Sequence, residues 1–409
     1  MEDKKRNKPK RRFAGFTDDW EERKLGEVAE IVGGGTPNTN NPEYWDGDID
    51  WYVPAEIKDQ IYADGSERKI TKLGLEKSSA KILPKYKTVL FTSRAGIGKM
   101  AILRRSGATN QGFQSMVLND ETNSYFVFSM SDLIKEKAER VASGSTFSEI
   151  SGKLLEGLDF MFPTKLEQEK IGAYFRNLDH LITLHQRKLD KLNFMKKSYL
   201  SEMFPQEGEK KPKRRFKGFT DDWEQCKLGE VCSEIGDGLH SAPIYDENGD
   251  YYFINGNNLV NGKIEINPEE TKRVSVKIFE KNDKHLDDTT VLFSINGTIG
   301  NLAYYKGERV MLGKSTAYFR AKNIDKTFLF VLLQTSYVMN NFMVSLTGTT
   351  IKNLGLESIK STKIMMPRNE EQKSIGLYFQ QIDHLITLHQ RKLVKLKNIK
   401  QAYLNEMFV

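Results

Sequence analysis

Three short stretches of this chain approach catalytic motifs, and each departs where the chemistry is strictest. Asn41-Pro42-Glu43-Tyr44 approaches the Asn-Pro-Pro-Tyr run that grips the amino group of an extruded base, but Glu43 stands where the second proline belongs. No strand-linked Gly-x-Gly cofactor loop precedes it. Gly307 to Ser315 is spaced almost like a phosphate-cradling loop, with five residues between its glycines where four are required. Its amides would not converge equivalently, so a strand-flanking loop is preferred. Asp50 with Glu56 and Lys58 has the residue types of a metal-dependent nuclease, in a pattern too common to carry that chemistry. His180, His185, His384 and His389 fall at i, i+5 spacing, which does not share a helix face as paired zinc ligands at i, i+4 do. His185 and His389 are expected to set register in an apolar seam. Cys226 and Cys232 suit neither a disulfide framework nor a zinc site, which points to a reducing compartment. The expectation is no catalytic residue and no metal ligand.

What remains are polar and basic residues on glycine-rich loops, in two groups. The first is Ser93, Arg94, Lys99, Arg104, Arg105, Asn110, Gln111 and Gln114. The second is Asn255, Asn257, Asn258, Ser294, Asn296, Lys314, Lys352 and Asn353. Arg and Lys grip phosphates, and Asn and Gln present paired donors and acceptors to base edges, so these are the candidate DNA-binding residues. Surface loops carry the same types for ordinary reasons, so type alone does not single out a contact.

The elements that must position them come in duplicate. Residues 167–204 run EQEKIGAYFRNLDHLITLHQRKLDKLNFMKKSYLSEMF and residues 371–408 run EQKSIGLYFQQIDHLITLHQRKLVKLKNIKQAYLNEMF, at a constant offset of 204. Eleven consecutive residues, Asp179–Leu189 and Asp383–Leu393, are identical, and a repeat of this length governs the reading of the rest. Each copy lacks proline, has a single glycine (Gly172, Gly376) and is rich in helix formers, so each predicts a long helix. Apolar residues recur at spacings of three and four: Phe175, Leu178, Ile182, Leu189, Leu192, Tyr199, Met203, and again Phe379, Ile382, Ile386, Leu393, Leu396, Tyr403, Met407. That is a heptad seam, interrupted at His185, Lys196, His389 and Lys400. A helix of about 57 Å, at about 1.5 Å per residue, with so narrow a seam needs a partner. The other copy is the expected one, with packing on its own domain as the alternative.

A second repeat precedes each variable region. KPKRRFAGFTDDWEERKLGEV at Lys8–Val28 and KPKRRFKGFTDDWEQCKLGEV at Lys211–Val231 agree at 18 of 21 positions. The basic cluster is expected to be a solvated leader, with phosphate contact as the sharper alternative. Trp20 and Trp223 should anchor the turn that follows. Between these blocks lie two divergent regions with a common skeleton. VLFTSRAGIG in the first matches VLFSINGTIG in the second, each a buried strand ending in a glycine-rich turn (Arg94–Gly98 in the first). Shorter helices are expected over Tyr125–Ser143 and Thr327–Val344, and the regions close alike at Gly144–Pro163 and Gly348–Pro367. The order is thus shared block, variable head, long helix, twice over. Two different heads on one scaffold suit the reading of two different things.

Bulk composition is compatible with this and excludes little. The net charge of +7 and pI near 9.0 permit nucleic-acid binding without establishing it. No apolar run is long enough for a membrane span, and the basic start lacks the apolar stretch of a secretory signal.

In this order, twice, the motifs resemble one family: the specificity subunits of Type I restriction–modification systems. The resemblance covers nearly the whole chain. It rests on the two DHLITLHQRKL helices, the Trp-x-x-x-x-Leu-Gly-Glu-Val segments (Trp20–Val28, Trp223–Val231), GGGTPNTNNPEYWDGDIDW from Gly33, VLFTSRAGIG, and GSTFSEIS followed by Pro-x-x-x-Glu-Gln. The resemblance implies an α/β (α+β) fold: two mixed α/β target recognition domains separated by two long helices paired as an antiparallel coiled coil, a tandem repeat with pseudo-two-fold symmetry. The expected boundaries are 1–28 for the leader and first shared block, 29–162 for the first recognition domain, and 163–204 for the first helix. A linker and second shared block follow at 205–231, the second recognition domain at 232–366 and the second helix at 367–409. It also implies a non-catalytic, cytoplasmic subunit whose domains each grip one half of a bipartite double-stranded DNA site. The helices would set the spacing and dock two modification (methyltransferase) subunits. S-adenosylmethionine would belong to those subunits, ATP and Mg²⁺ to the restriction (translocase) subunits, and no cofactor to this chain. The alternative is an autonomous nuclease or adenine methyltransferase. The second head begins Gly236-Asp-Gly238-Leu239-His240 and departs from the Gly33-Gly-Gly35-Thr36-Pro37 pattern. From the residues themselves, helix direction stays open, because a whole variable region intervenes.

Overall fold

A computed structural model describes residues 8–94, 96–142, 149–348 and 352–409. The first residues of the leader (1–7), one residue of the turn Arg94–Gly98, and parts of the helix end and closing segments (143–148, 349–351) lie outside the described residues. The chain divides into two units. The first is Met1–Leu184 with Leu393–Val409, and the second is His185–Lys392. Each unit therefore owns one half of each long helix, Lys165–Glu202 and Asn369–Met407.

In the first unit a five-stranded sheet runs in the order Ala29–Gly33, Gln114–Leu118, Thr88–Phe91, Met100–Leu103, Tyr62–Ala63. Thr88–Phe91 and Met100–Leu103 are buried along their whole length, as the unbroken apolar runs anticipate for strands covered on both faces. A three-stranded sheet, Arg68–Ile70, Trp45–Tyr52 and Gly107–Thr109, stands beside it. The second unit repeats the theme. Cys232–Asp237, Thr316–Ala321, Thr290–Ser294 and Leu302–Tyr304 form one sheet, and Arg273–Val274, Tyr251–Ile254 and Val310–Leu312 another. Val310–Leu312 lies inside the stretch that mimicked a phosphate loop, so that stretch is a strand with its flanks. Each head closes with a strand, Asp159–Phe162 or Lys363–Met366, paired antiparallel to Glu21–Lys24 or Glu224–Lys227.

Both shared blocks are anchored as expected by their tryptophans. Trp20 is 2% exposed and packs on Phe126 and Phe408; Trp223 is 2% exposed and packs on Phe204 and Phe328. The leaders are less solvated than their charge suggests. Arg12 clasps Glu167 through two hydrogen bonds of 2.7 Å. Arg215 clasps Glu371 through bonds of 2.6 and 2.7 Å. Arg11 pairs with Glu406 and Arg214 with Glu202. The adjoining glutamine completes the Glu-Gln signature. Gln168 Nε2 donates to the Pro163 carbonyl and Gln372 Nε2 to that of Pro367, at 3.0 and 2.9 Å. Their Oε1 atoms accept from the Asn123 and Asp325 amides. The signature thus fastens leader, head and long helix together.

The short helices differ from expectation, since each splits in two. In the first unit Met130, with ψ near 8°, separates Ser124–Ser129 from Ser131–Val141. In the second, Lys326–Leu332 and Ser336–Val344 are bent by 61°, with Thr335 capping the latter through the Val338 amide. No single helix among the described residues is long and apolar enough to cross a membrane.

The halves of the long helices pack together antiparallel in each unit. In the first, Tyr174 meets Tyr403, Phe175 stacks on Phe408, and Lys400 bonds Asp179 at 2.7 Å. In the second, Tyr199 meets Tyr378, Phe204 lies near Phe379, and Lys196 bonds Asp383 at 2.7 Å. The two lysines that interrupt the seam are thus cross-helix ties, with Asp179 also accepting from the Tyr125 hydroxyl and Lys196 also reaching Gln334. Rising numbers on one helix meet falling numbers on the other, which settles the direction that spacing left open.

The single glycine of each long helix has a steric reason. A Cβ on Gly376 would fall 2.0 Å from Thr327 Oγ1 and 2.8 Å from the Phe328 amide nitrogen. A Cβ on Gly172 would fall 2.5 Å from Asn123 Oδ1. Gly376→Ala gains up to about 1 kcal/mol of helix propensity against an overpacking cost of about 1–3 kcal/mol. A net loss of stability by denaturant titration is the expected result. Thr327→Ala in the same chain should recover only part of it, because the backbone contact persists.

Candidate nucleic-acid interface

Four loops meet at one end of the main sheet in each unit, and the same backbone bonds hold them. In the first unit Gly35 N donates to the Thr109 carbonyl, Ser93 N to Gly112 and Ile150 N to Ser93, at 2.8, 2.9 and 3.1 Å. In the second, Leu239 N donates to Leu312, Ile295 N to Ser315 and Leu354 N to Ile295, at 2.8, 2.9 and 2.9 Å. Glycine permits the closest approaches: a Cβ at Gly34 would lie 2.0 Å from the Asn110 carbonyl, and at Gly238 2.2 Å from that of Leu312. This framework positions the side chains, and it is common to both heads although their sequences diverge.

On the first head the framework gathers Ser93, Arg94, Lys99, Asn110, Gln111 and Gln114. Ser93 is fully buried and its hydroxyl finds no hydrogen-bond partner among the described residues, so it belongs to the loop's base. Asn110 Oδ1 accepts from the Gly112 amide at 2.9 Å and shapes the turn. Gln111 is exposed and meets the Thr36 hydroxyl across the rim. Gln114 sits between Gly33 and Gly152, with Oε1 3.6 and 3.0 Å from where their Cβ atoms would be. Arg94 is half-buried and Lys99 exposed, and the two supply the rim's positive charge. Arg104 and Arg105 are not brought to this rim. Strand Met100–Leu103 carries them to the opposite end of the sheet, where both engage Asp64 at 3.2 and 2.8 Å.

The second head divides its candidates between support and surface. Asn255 Oδ1 accepts from Ser315 Oγ at 2.9 Å, Ser315 Oγ accepts from the Gly256 amide, and Ser294 Oγ accepts from the Asn301 amide at 2.8 Å. Asn258 caps the Asn255 amide and donates to the Glu265 carbonyl. These three hold loops in shape. Asn257 and Lys352 are exposed. Asn296, Lys314 and Asn353 line a cavity of about 700 Å³ together with Asp237, His240 and Glu357. Asn296 Nδ2 donates to the Lys314 carbonyl at 3.2 Å, and the backbones of Asn296 and Asn353 pair in an isolated antiparallel bridge. His240 Nε2 lies 2.8 Å from Asp237 Oδ2 at the mouth. Neither Asp237 nor His240 was among the sequence candidates. The departure of Gly236–His240 from the first head's glycine run was the available signal.

The remaining suspect residues have structural partners. Asn41 accepts from the Glu43 amide as a helix cap, and Asp50 is 5% exposed beside Ser66 and Lys69. Burial pushes the Cys226 thiol up to about 11 and the Cys232 thiol up to about 12, so both stay protonated at neutral pH. The rims thus offer cations, amides and one Asp–His pair on rigid loops, which is equipment for hydrogen-bonding and ion-pairing recognition of a polyanion with readable edges.

Comparison with known proteins agrees with this equipment. The family described as "Type I restriction modification DNA specificity domain" matches twice, over residues 17–193 and 220–398. The Type I restriction enzyme MjaIX specificity subunit of Methanocaldococcus jannaschii is 28% identical over 95% of this chain and 92% of its own length. The MjaVIII specificity subunit of the same organism is 22% identical over 95% and 92%. A crystal structure of a Type-I restriction-modification system S subunit from M. genitalium aligns over 98% of this chain and 99% of its own with a TM-score of 0.65, at 14% identity, a likeness of fold.

Proposed function

We propose, from the premise that this chain belongs to the family of Type I restriction modification DNA specificity domains, that it is the DNA-reading subunit of a Type I restriction–modification complex. The carrying observation is the four-loop rim, built on one hydrogen-bond framework in both units and faced with different side chains in each. One frame with two faces suits two half-sites of unlike sequence. The first head presents amides with Arg94 and Lys99, and the second presents Asn296, Lys314 and Asn353 around a cavity with an Asp–His mouth. Phosphate contacts would position each head and the amide-bearing side chains would meet base edges.

In this reading the chain contributes recognition and no bond-making chemistry. Two methyltransferase subunits dock along its helices and bring S-adenosylmethionine, while restriction subunits bring ATP and Mg²⁺, in the cytoplasm. DNA binding by the assembled complex then weakens steeply with salt, as counterion release requires.

The test is head exchange. Replacing residues 29–162 with the head of another family member, in the complex with its methyltransferase, should change the methylated sequence in one half-site and leave the other intact. Mapping methylated adenines across a genome reads both halves at once. A change in both, or in neither, would refute independent reading by the two heads.

A further inference from the structure

The seam histidines form a site that DNA reading does not use. His185 and His389 each lie near the middle of their own long helix, at equivalent places in the repeat, and both belong to the second unit. Their Nδ1 atoms approach to 2.8 Å, with ring centroids 5.0 Å apart and planes tilted by 47°. Nδ1 of one ring must donate and Nδ1 of the other accept, so two neutral imidazoles in unlike tautomers satisfy the contact.

The same separation has a second chemical meaning. Two nitrogens at about 2.0–2.1 Å from one metal ion stand about 2.9 Å apart when the angle between them is 90°, and about 3.3 Å apart at the tetrahedral angle. The observed nitrogen spacing is close to the right-angled case, which Ni²⁺ and Cu²⁺ favour over tetrahedral Zn²⁺, while the 5.0 Å between ring centroids leaves the lone pairs facing each other, so each ring must turn by about 30° to aim at one ion. We infer that His185 and His389 are a two-imidazole binding site for a tetragonal divalent ion, Ni²⁺ or Cu²⁺, that bridges the two long helices. Metal entry needs both Nδ1 lone pairs. The ring now donating takes its proton on Nε2 instead, so the neutral pair loses no net proton, and water fills the remaining positions.

The electrostatic setting agrees on protonation and limits affinity. Burial, then Lys392 and Lys188, hold His185 below the usual imidazole range. Burial, then His185, Lys188 and Lys392, do the same for His389. A metal requires both rings in their neutral form. Those two lysines also oppose a dication and weaken its binding.

The experiment titrates tag-free full-length chain with NiCl2 by calorimetry at pH 7.5. One ion per chain is expected. His185→Gln and His389→Gln should each weaken binding by about tenfold or more, with helicity by circular dichroism confirming that the variants fold. The double variant His180→Gln/His384→Gln, which removes exposed histidines from the same helices and keeps the pair, should still bind one ion. Lowering the pH to 5.5 should weaken binding, because protons compete for the same lone pairs. Absence of saturable binding up to about 1 mM, or loss of binding in the His180/His384 variant, would overturn the site. So would a His185→Gln/His389→Gln chain that binds as well as wild type.

Discussion

Substituting Arg215 with methionine will lower the stability of the second unit by about 3–5 kcal/mol, because the change strands a carboxylate inside the protein. Glu371 is 1% exposed and the Arg215 side chain 13%, and two short charge-assisted bonds join them. Solvent screening is therefore slight, unlike that of exposed pairs such as Lys211–Asp222. Arg215 also donates to the Asp221 carbonyl at 2.6 Å, so its loss frees the turn that seats Trp223. Glu371 sits in the first turn of the long helix, where the macrodipole favours a negative charge but does not replace two hydrogen bonds. Urea unfolding with hydrogen exchange resolved by peptide will report the loss in residues 185–392. Arg215→Met/Glu371→Met should regain most of it, since an apolar pair leaves no buried charge. A single variant within about 0.5 kcal/mol of wild type, the ordinary range for surface changes, would show that the pair does not fasten leader to helix. Arg12 and Glu167 repeat the arrangement in the first unit, and Arg12→Met should act there alike.

Much of this scaffold was readable because periodicity and repetition report burial directly. The seam residues Phe175, Leu178, Leu189 and Met203, with Phe379, Ile382, Ile386, Leu393 and Met407, are all buried. The interruptions were visible as residues but not as contacts. Lys196, Lys400 and the two histidines find partners far away in sequence, and only chain direction decides which. The loop candidates show the same limit. Residues 93–99 and 104–105 look contiguous, yet a strand of four residues separates them, which is about 13 Å at about 3.3 Å per residue. Hence Lys99 reaches the rim and Arg104 and Arg105 do not. Asn255, Asn258 and Ser294 have the composition of a reading surface, but their side chains complete the loop framework. Asp237 and His240 escaped notice because a turn makes their pairing, and no periodic pattern marks a turn's side chains.

A heptad inserted into both long helices will lengthen the spacer of the DNA site without altering either half-site. Each helix contributes one half to each unit, so on the proposed function the length between those halves sets the separation of the reading heads. The antiparallel pairing dictates where insertions must go. In the second unit His185 meets His389, Lys196 meets Asp383 and Tyr199 meets Tyr378, which places Lys191 opposite the neighbourhood of Leu385. Seven residues after Lys191 and seven after Leu385 therefore extend matching segments, and seven restores the phase of the apolar stripe. The added length is about 10 Å at about 1.5 Å per residue, or about three base pairs at about 3.4 Å each. Seven residues in one helix alone would instead pull Lys196 about 10 Å out of register with Asp383 and destabilise the unit. Two residues in both would rotate the stripe by about 200° and expose Ile382, Ile386 and Leu189. A methylated-adenine map of the paired-heptad variant should show both half-sites retained and the gap wider by about three pairs. An unchanged gap in a folded, active complex would refute the helices as the ruler.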